Sequence, residues 1–173
     1  MNETLKNLLT RRSVRAYLPK QVEGSLLEQV LEAGTYAPTG GGRQTPVIVA
    51  VQNPETVQQL SRMNAAVNGA KGDPFYGAPT VLVVLAERSR GTYLLDGASV
   101  ITTLLNAAHA VGLGSCWVHR AKEEFESEEG KALLKKWGIE GDFEGIGHVI
   151  LGYAAEAPAE PAPRKSNYIY RVI

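Results

Sequence analysis

Residues 11–15 concentrate groups that can bind an anion, because Arg11, Arg12 and Arg15 carry guanidinium groups and Ser13 adds a hydroxyl. The whole sequence is charge-balanced, with 18 basic and 18 acidic residues, so this local excess of positive charge stands out. A guanidinium group can donate to two oxygens of one phosphate, and a serine hydroxyl can donate a further hydrogen bond. The segment therefore predicts a site for a phosphate monoester. The alternative is a basic turn that only faces water.

The other reactive residue types lack the arrangement that catalysis by side chains requires. The sequence shows no Ser-His-Asp order, no nucleophile elbow and no convincing pair of acids. Residues 112–115 follow a predicted helix rather than a strand and lack the third glycine of a dinucleotide-binding turn. Cys116 is the only cysteine, and its apolar surroundings favour a buried, inert thiol. We predict no catalytic side chain and no metal site.

Several polar residues in apolar segments are interpreted as structural. His109 lies in a long apolar helix, where a hydrogen-bonded core histidine is the commoner explanation. Asp96 and Asn106 of the same helix are interpreted as hydrogen-bonding residues at an interface. His148 opens a strand and has no obvious partner in the sequence.

Length and composition predict one globular domain over residues 1–173, with 44% hydrophobic and 21% charged residues. The zero net charge argues against a nucleic-acid partner. The lone cysteine and the polar N-terminus favour a cytoplasmic protein without a signal peptide. The longest apolar stretch, residues 97–114, is interrupted by polar side chains, so no membrane partner is predicted.

The hydrophobic pattern predicts alternating helices and strands that must position the basic segment. Helices are predicted over residues 2–10, 25–36, 53–67, 93–111 and 126–137, the second of them opened by a capping box of Ser25 and Glu28. Strands are predicted over residues 47–51, 80–86, 116–119 and 148–153, with Glu144 as an alternative start of the last strand.

The C-terminus predicts an arm, residues 154–173, that leaves the domain. Residues 154–163 alternate Ala, Glu and Pro, a composition that favours an extended chain. Arg164 and Lys165 follow, and the chain then ends in an apolar, aromatic and strand-like tail. Such a tail would expose an apolar patch in water, so we predict that it clasps another subunit. The alternative is a tail that folds back on its own domain.

Five segments together resemble one known family. They are residues 11–15, 37–44, 76–79 and 108–117, and Gly152-Tyr153 before the arm that ends in Arg164-Lys165. In this order, over nearly the whole chain, they are similar to the FMN-dependent nitroreductase family of NAD(P)H oxidoreductases.

The resemblance implies an α+β fold with a central, mostly antiparallel sheet flanked by helices. It also implies a homodimer in which the long helix lies at the subunit boundary and the C-terminal arm of each subunit clasps the other. FMN is the implied cofactor, bound at the interface between the subunits, and NADH or NADPH is the implied electron donor.

The resemblance also assigns cofactor-binding residues. Arg11, Arg164 and Lys165 would hold the FMN phosphate, Arg12 and Ser13 would line the same pocket, and Arg15 would approach the pyrimidine edge of the flavin. Pro38, Thr39, Gly40, Gly41 and Gly42 of the partner chain would lie along the ring, Asn64 would hydrogen-bond the flavin edge, and Trp117, Val118 and His119 would run past the ring.

Two positions depart from the family pattern. Gly42 stands where relatives often have asparagine, and Gln44-Thr45-Pro46 stands where they have Gln-Pro-Trp. These departures leave open a side-chain contact to the flavin and the shape of the substrate pocket.

The implied activity is transfer of a hydride from NAD(P)H through flavin N5 to a nitroaromatic, quinone or similar conjugated acceptor by a ping-pong mechanism. Because the cofactor carries the chemistry, the protein need only orient and tune it. A cation about 4 Å from flavin N1, a role that Arg15 can fill, contributes about 4 kcal/mol at an effective dielectric of about 20, before desolvation. The alternatives are an FMN-binding storage or sensing protein without turnover, and a flavin dehydrogenase of the same family with a dedicated substrate.

Overall fold

One four-stranded sheet, in which every neighbouring pair is antiparallel, forms the centre of the molecule. The computed structural model describes the whole chain, residues 1–173. The strands are β1 (Pro46–Val51), β2 (Thr80–Glu87), β3 (Gly114–Val118) and β4 (Phe143–Gly152), in the spatial order β1-β2-β4-β3. The central strands β2 and β4 are buried over nearly their whole length because both of their faces are covered, and β2 is accordingly an almost continuous apolar run.

Six helices accompany the sheet, five of which pack against it, and this confirms the predicted α+β class. They are α1 (Glu3–Thr10), α2 (Gly24–Thr35), α3 (Pro54–Val67), α4 (Tyr93–Ala110), α5 (Ala121–Glu126) and α6 (Glu128–Lys136). One apolar core lies between the sheet and α2 and α4, and a second lies between the sheet and α3, α5 and α6. None of the helices combines the length and the apolar character that a membrane crossing needs.

The helix ends explain where the sequence predicted correctly and where it did not. Asn53 caps α3 by accepting a hydrogen bond from the Thr56 amide at 2.9 Å, as the sequence indicated. The predicted capping box at Ser25 is wrong, because α2 already begins at Gly24 and has no side-chain cap.

The helix predicted over residues 126–137 is α6, and the sequence missed the short helix α5 that precedes it, from which α6 is separated at Ser127. Ser127 has extended backbone angles, and its hydroxyl accepts from the Gly130 amide at 3.0 Å, which caps α6. Gly130 is required there because a Cβ would overlap the Glu124 carbonyl oxygen.

Arg88, just past β2, ties one end of the sheet together through three carboxylates. Its guanidinium donates to Glu144 at 2.8 and 3.0 Å, to Asp142 at 2.9 Å and to Glu126 at 2.9 Å. The hydrogen bonds that Arg88 donates to Glu144 and then to Asp142 raise the pKa of Arg88 above its usual value. The Glu144 side chain is only 5% exposed, so Arg88 compensates a carboxylate that has lost its water.

Replacing Arg88 with methionine should lower the free energy of unfolding by about 2–3 kcal/mol, because buried Glu144 would keep only the Lys122 ammonium at 3.9 Å and the Tyr93 hydroxyl at 3.2 Å. Urea unfolding measures this loss. Glu126→Gln is the matched control: Glu126 is 49% exposed, so its loss should cost no more than about 0.5 kcal/mol. Equal losses in the two variants would show that the buried carboxylate is not what Arg88 serves.

Candidate functional site

The basic segment, residues 11–15, runs from the end of α1 along the outer edge of β3. Ser13 forms an isolated bridge with Ser115, and the Val14 amide donates to the Ser115 carbonyl at 3.0 Å. The Tyr17 hydroxyl donates to the Val14 carbonyl at 2.8 Å, and burial raises the pKa of Tyr17, which keeps that donor protonated. The segment therefore has a defined conformation, and it is not a turn that only faces water.

The two leading arginines of the segment are used differently. Nη1 of Arg12 donates to the carbonyls of Leu9 and Arg11, both at 2.8 Å, and so satisfies the carboxyl end of α1. Nη1 of Arg11, in contrast, is buried and has no hydrogen-bond partner in the chain. A buried donor without a partner costs about 1–3 kcal/mol, so Arg11 is prepared to pair with an anion.

A cleft of about 340 Å³ opens beside the basic segment. Arg12, Ser13 and Arg15 line it together with residues 156–161 of the arm, which include the carboxylates of Glu156 and Glu160. The Ala155 amide donates to the Ala16 carbonyl at 2.9 Å, which fixes the start of the arm here. The guanidinium groups of Arg12 and Arg15 and the hydroxyl of Ser13 fit a phosphate group, and Arg11, directly before this lining in the chain, carries the unpaired buried nitrogen. They do not fit a metal, and no cluster of His, Cys, Asp or Glu side chains in the chain could hold one.

Asp96, in the first turn of α4, holds the glycine loop in place. Its Oδ1 accepts from the Gly40 amide at 2.9 Å, and its Oδ2 accepts from the hydroxyls of Thr92 at 3.1 Å and Thr45 at 3.3 Å. Asp96 is only 4% exposed. The sequence interpretation of Asp96 as an interface residue is therefore corrected, because both oxygens of its buried carboxylate accept hydrogen bonds from its own chain.

The loop that Asp96 holds presents backbone rather than side chains. Gly41 and Gly42 have φ angles of +61° and +66°, which favour glycine. No atom lies within 4 Å of the position that a Cβ on Gly42 would take. Pro38, Gly41 and Gly42 are exposed, and Thr39 and Gly40 are half-buried. The loop can therefore approach a flat ligand closely.

The end of β3 alternates between the two faces of the sheet. Trp117 and His119 are exposed, whereas Val118 is buried. Asn64 of α3 lies behind this strand, fully buried, and donates from Nδ2 to the His119 carbonyl at 2.7 Å. Both nitrogen and oxygen of the Asn64 amide are engaged within the chain, so its contact with the flavin edge stays a prediction.

Arg164 and Lys165 do not reach the cleft of their own chain. Arg164 donates from Nε to the Ala162 carbonyl at 3.2 Å, and the Lys165 ammonium lies 5.4 Å from the centre of the Tyr168 ring. All residues 154–173 are exposed, so the tail does not fold back on its own domain. One chain alone therefore does not bring the two basic clusters together, and their convergence in a dimer stays a prediction.

His109 of α4 is hydrogen-bonded, as the sequence indicated, with its Nε2 at 2.9 Å from the Thr10 hydroxyl. Partial burial lowers the pKa of His109 below its usual value of 6.5, and the nearby Arg11 and Arg12 lower it further. The folded chain therefore favours the neutral imidazole.

The stability of the chain should fall as the pH drops below the ordinary histidine pKa of 6.5. In that range His109 binds a proton in the unfolded state but not in the folded state, which favours unfolding. Above that range His109 is neutral in both states, and its contribution to stability is fully present. Urea midpoints at about pH 7.5 and 5.5 measure the effect. The drop should be smaller in His109→Gln than in the wild type, and an equal drop in both proteins would refute the assignment.

Comparisons with known proteins agree with this geometry. The family model described as Nitroreductase family matches residues 8–71 and 64–153. A crystal structure of a nitroreductase with bound FMN from Bacteroides fragilis is 31% identical, with a TM-score of 0.91, and the match covers 99% of this chain and 100% of that chain.

Two curated relatives are also similar. An Archaeoglobus fulgidus protein, whose name includes NADH dehydrogenase and NAD(P)H nitroreductase, is 29% identical over 88% of this chain and 86% of its own length. An FMN reductase [NAD(P)H] from Bacillus subtilis is 31% identical over 56% of this chain, but the match spans only 36% of that relative.

Proposed function

The chain belongs to the nitroreductase family, and on that basis we propose that it is an FMN-dependent oxidoreductase that takes a hydride from NADH or NADPH. The finer part of the proposal is that it reduces nitroaromatic, quinone or similar conjugated acceptors by a ping-pong mechanism. The observation that carries the proposal is the basic segment, in which Nη1 of Arg11 is buried without a partner and Arg12, Ser13 and Arg15 line a cleft. This site fits the phosphate of FMN. When bound, FMN supplies the hydride-transfer chemistry at its N5 atom.

The residues of this chain then bind and orient the cofactor. Arg11 pairs with the phosphate together with Arg164 and Lys165 of the arm, while Arg12 and Ser13 line the same pocket. Arg15 is exposed at the mouth of the cleft and approaches the pyrimidine edge.

The flat part of the cofactor needs surfaces without bulky side chains. Pro38, Thr39, Gly40, Gly41 and Gly42 offer such a surface, and Asp96 keeps their backbone in one conformation. Trp117, Val118 and His119 run past the ring, with backbone amides directed at its edge. An exposed loop leaves one face open, which favours an acceptor pocket of low selectivity.

A homodimer would complete the site, because one chain leaves large apolar surfaces uncovered. Leu8 and Leu9 of α1 are 53% and 60% exposed, and Leu95 of α4 is 72% exposed. In the tail, Tyr170 is 81% exposed and Ile173 is fully exposed. Exposed apolar side chains of this number favour a protein interface. We propose that α1 and α4 form the subunit boundary and that each tail clasps the other subunit.

Steady-state kinetics test the function. The FMN-loaded protein should oxidise NADH or NADPH faster than free FMN does when a quinone or nitroaromatic compound is present. Double-reciprocal plots at several acceptor concentrations should be parallel, as a ping-pong mechanism requires. Retention of FMN without consumption of either nicotinamide would instead favour a flavin-binding protein without turnover. Turnover restricted to one acceptor would favour an enzyme with a dedicated substrate.

A further inference from the structure

Three buried polar side chains from distant parts of the chain meet behind β3. Asn64 lies on α3, Glu124 on α5 and His148 on β4, and none of the three is more than 1% exposed. Nε2 of His148 lies 2.9 Å from Oε1 of Glu124, and the same oxygen accepts a short hydrogen bond from Nδ2 of Asn64. The sequence showed no partner for His148, and Glu124, 24 residues earlier in the chain, is that partner.

Beyond its own three members, the side chains of this network, Asn64-Glu124-His148, form hydrogen bonds only with the segment that follows β3. Nδ2 of Asn64 also donates to the His119 carbonyl at 2.7 Å. Oδ1 of Asn64 accepts two hydrogen bonds from Arg120, from Nε at 3.1 Å and from Nη2 at 2.8 Å. One buried amide therefore holds both residues of the turn.

The turn needs such a hold because its backbone is strained. Arg120 has a φ of +80°, in the left-handed region that side-chain-bearing residues rarely adopt. A residue keeps such a conformation only when the surrounding structure imposes it. His148 lies opposite Val118 in the register of β3 and β4. The network thus fixes the end of β3 from two sides.

The polar network is less favourable for stability than apolar side chains would be if its only role were to fill the core. Oε2 of Glu124 and Nδ1 of His148 are buried without a hydrogen-bond partner. Apolar residues of similar volume often stabilise a core as well as a buried ionisable pair does, or better. Phe75 and Phe125, with ring centres 5.2 and 6.3 Å from that of His148, already provide apolar packing around it. The polar atoms therefore point to a role in setting geometry.

We propose that Asn64, Glu124 and His148 are positioning residues that hold the His119 carbonyl and the Arg120 turn, and thereby fix the strand edge along which the flavin ring lies. This inference rests on the proposed function, since that function places residues 117–119 beside the ring. It gives Asn64 a role through the backbone instead of a direct contact with the cofactor.

Hydrogen exchange on the FMN-free protein tests the mechanical half of the proposal. In Asn64→Leu and His148→Leu, backbone amides of residues 116–124 should exchange about tenfold faster, which corresponds to about 1.4 kcal/mol. His148→Gln keeps a polar atom near the position of Nε2 and should restore exchange to within about threefold of the wild type. The Val57→Ala variant, on α3 two turns before Asn64, is the matched control, because it opens a cavity without touching the network.

Two results of this first arm would overturn the proposal. One is wild-type exchange over residues 116–124 in Asn64→Leu. The other is faster exchange in Asn64→Leu that is spread evenly over the chain, including α6. That pattern is the one expected of Val57→Ala, which lowers stability without touching the network. Because no flavin is present, neither result depends on the proposed function.

FMN titration forms the second arm. Asn64→Leu should bind FMN at least about tenfold more weakly and shift the visible absorption band of the bound flavin, and His148→Gln should show wild-type behaviour in both. Faster exchange with an unchanged flavin band and affinity would refute a positioning role toward the cofactor. A wild-type protein that binds no FMN would refute the proposed function instead, and the exchange arm would still report on the network.

Discussion

Replacing Arg11 with leucine should weaken FMN binding about ten- to hundredfold, because a charge-assisted hydrogen bond contributes about 1.5–3 kcal/mol. The same change should leave the FMN-free chain at least as stable as the wild type. In the free chain Nη1 of Arg11 is buried without a partner, so its removal also removes a desolvation cost. The two effects have opposite signs, which a general loss of structure cannot imitate.

Fluorescence titration with FMN and urea unfolding of the FMN-free protein measure the two effects. Arg62→Ala is the matched control, since it removes one exposed guanidinium from α3, outside the cleft, and should change neither quantity appreciably. Unchanged FMN affinity in Arg11→Leu would refute the phosphate contact. A large loss of stability would show that Arg11 supports the fold itself.

Deleting residues 164–173 should give a colourless protein with impaired dimerisation. The deleted segment carries Arg164 and Lys165, so two proposed phosphate contacts disappear and FMN affinity should fall by more than about a hundredfold. The domain itself should keep its unfolding temperature, because every deleted residue is exposed in the single chain. Light scattering should report a mass near the 18.6 kDa of one chain.

A full-length Arg164→Ala/Lys165→Ala variant separates the two consequences of the deletion. It removes the cations but keeps the apolar tail, so it should stay dimeric while binding FMN weakly. A truncated protein that remains a yellow dimer would show that the arm serves neither the cofactor nor the clasp.

The sequence predicts those parts of the fold that neighbouring residues determine, and it misses those that depend on contacts between separate elements. The apolar run of β2 and the Asn53-Pro54 start of α3 follow from neighbouring residues, and the structure confirms them. The strand predicted over residues 148–153 is the second half of β4, which begins at Phe143, close to the alternative start at Glu144. The break between α5 and α6 depends on a contact between Gly130 and the Glu124 carbonyl, and no periodicity of apolar residues reveals it.

The candidate site divides in the same way. Residues 11–15 are contiguous, so their charge is visible in the sequence. Asp96 and Gly40, in contrast, are 56 residues apart, and Asn64 and Glu124 are 60 apart. Polar residues of this kind look like ordinary helix positions until the sheet brings them together. The left-handed turn at Arg120 is equally hidden, because a glycine would have signalled it and an arginine does not.

The proposed meeting of Arg164 and Lys165 with the basic segment requires a second chain, so one chain alone does not form it. Arg164 and Lys165 lie in an exposed arm, and the order of residues along the sequence cannot tell which subunit they serve. The resemblance supplied that expectation, and the exposed tail of the single chain supports it.

The visible spectrum of the purified protein under anaerobic conditions shows whether the chain is a flavin-dependent oxidoreductase. We expect a yellow protein with one FMN per chain, whose flavin absorption is bleached when NADH or NADPH is added. A protein that takes up no flavin, or whose bound flavin stays oxidised with both nucleotides, would contradict it.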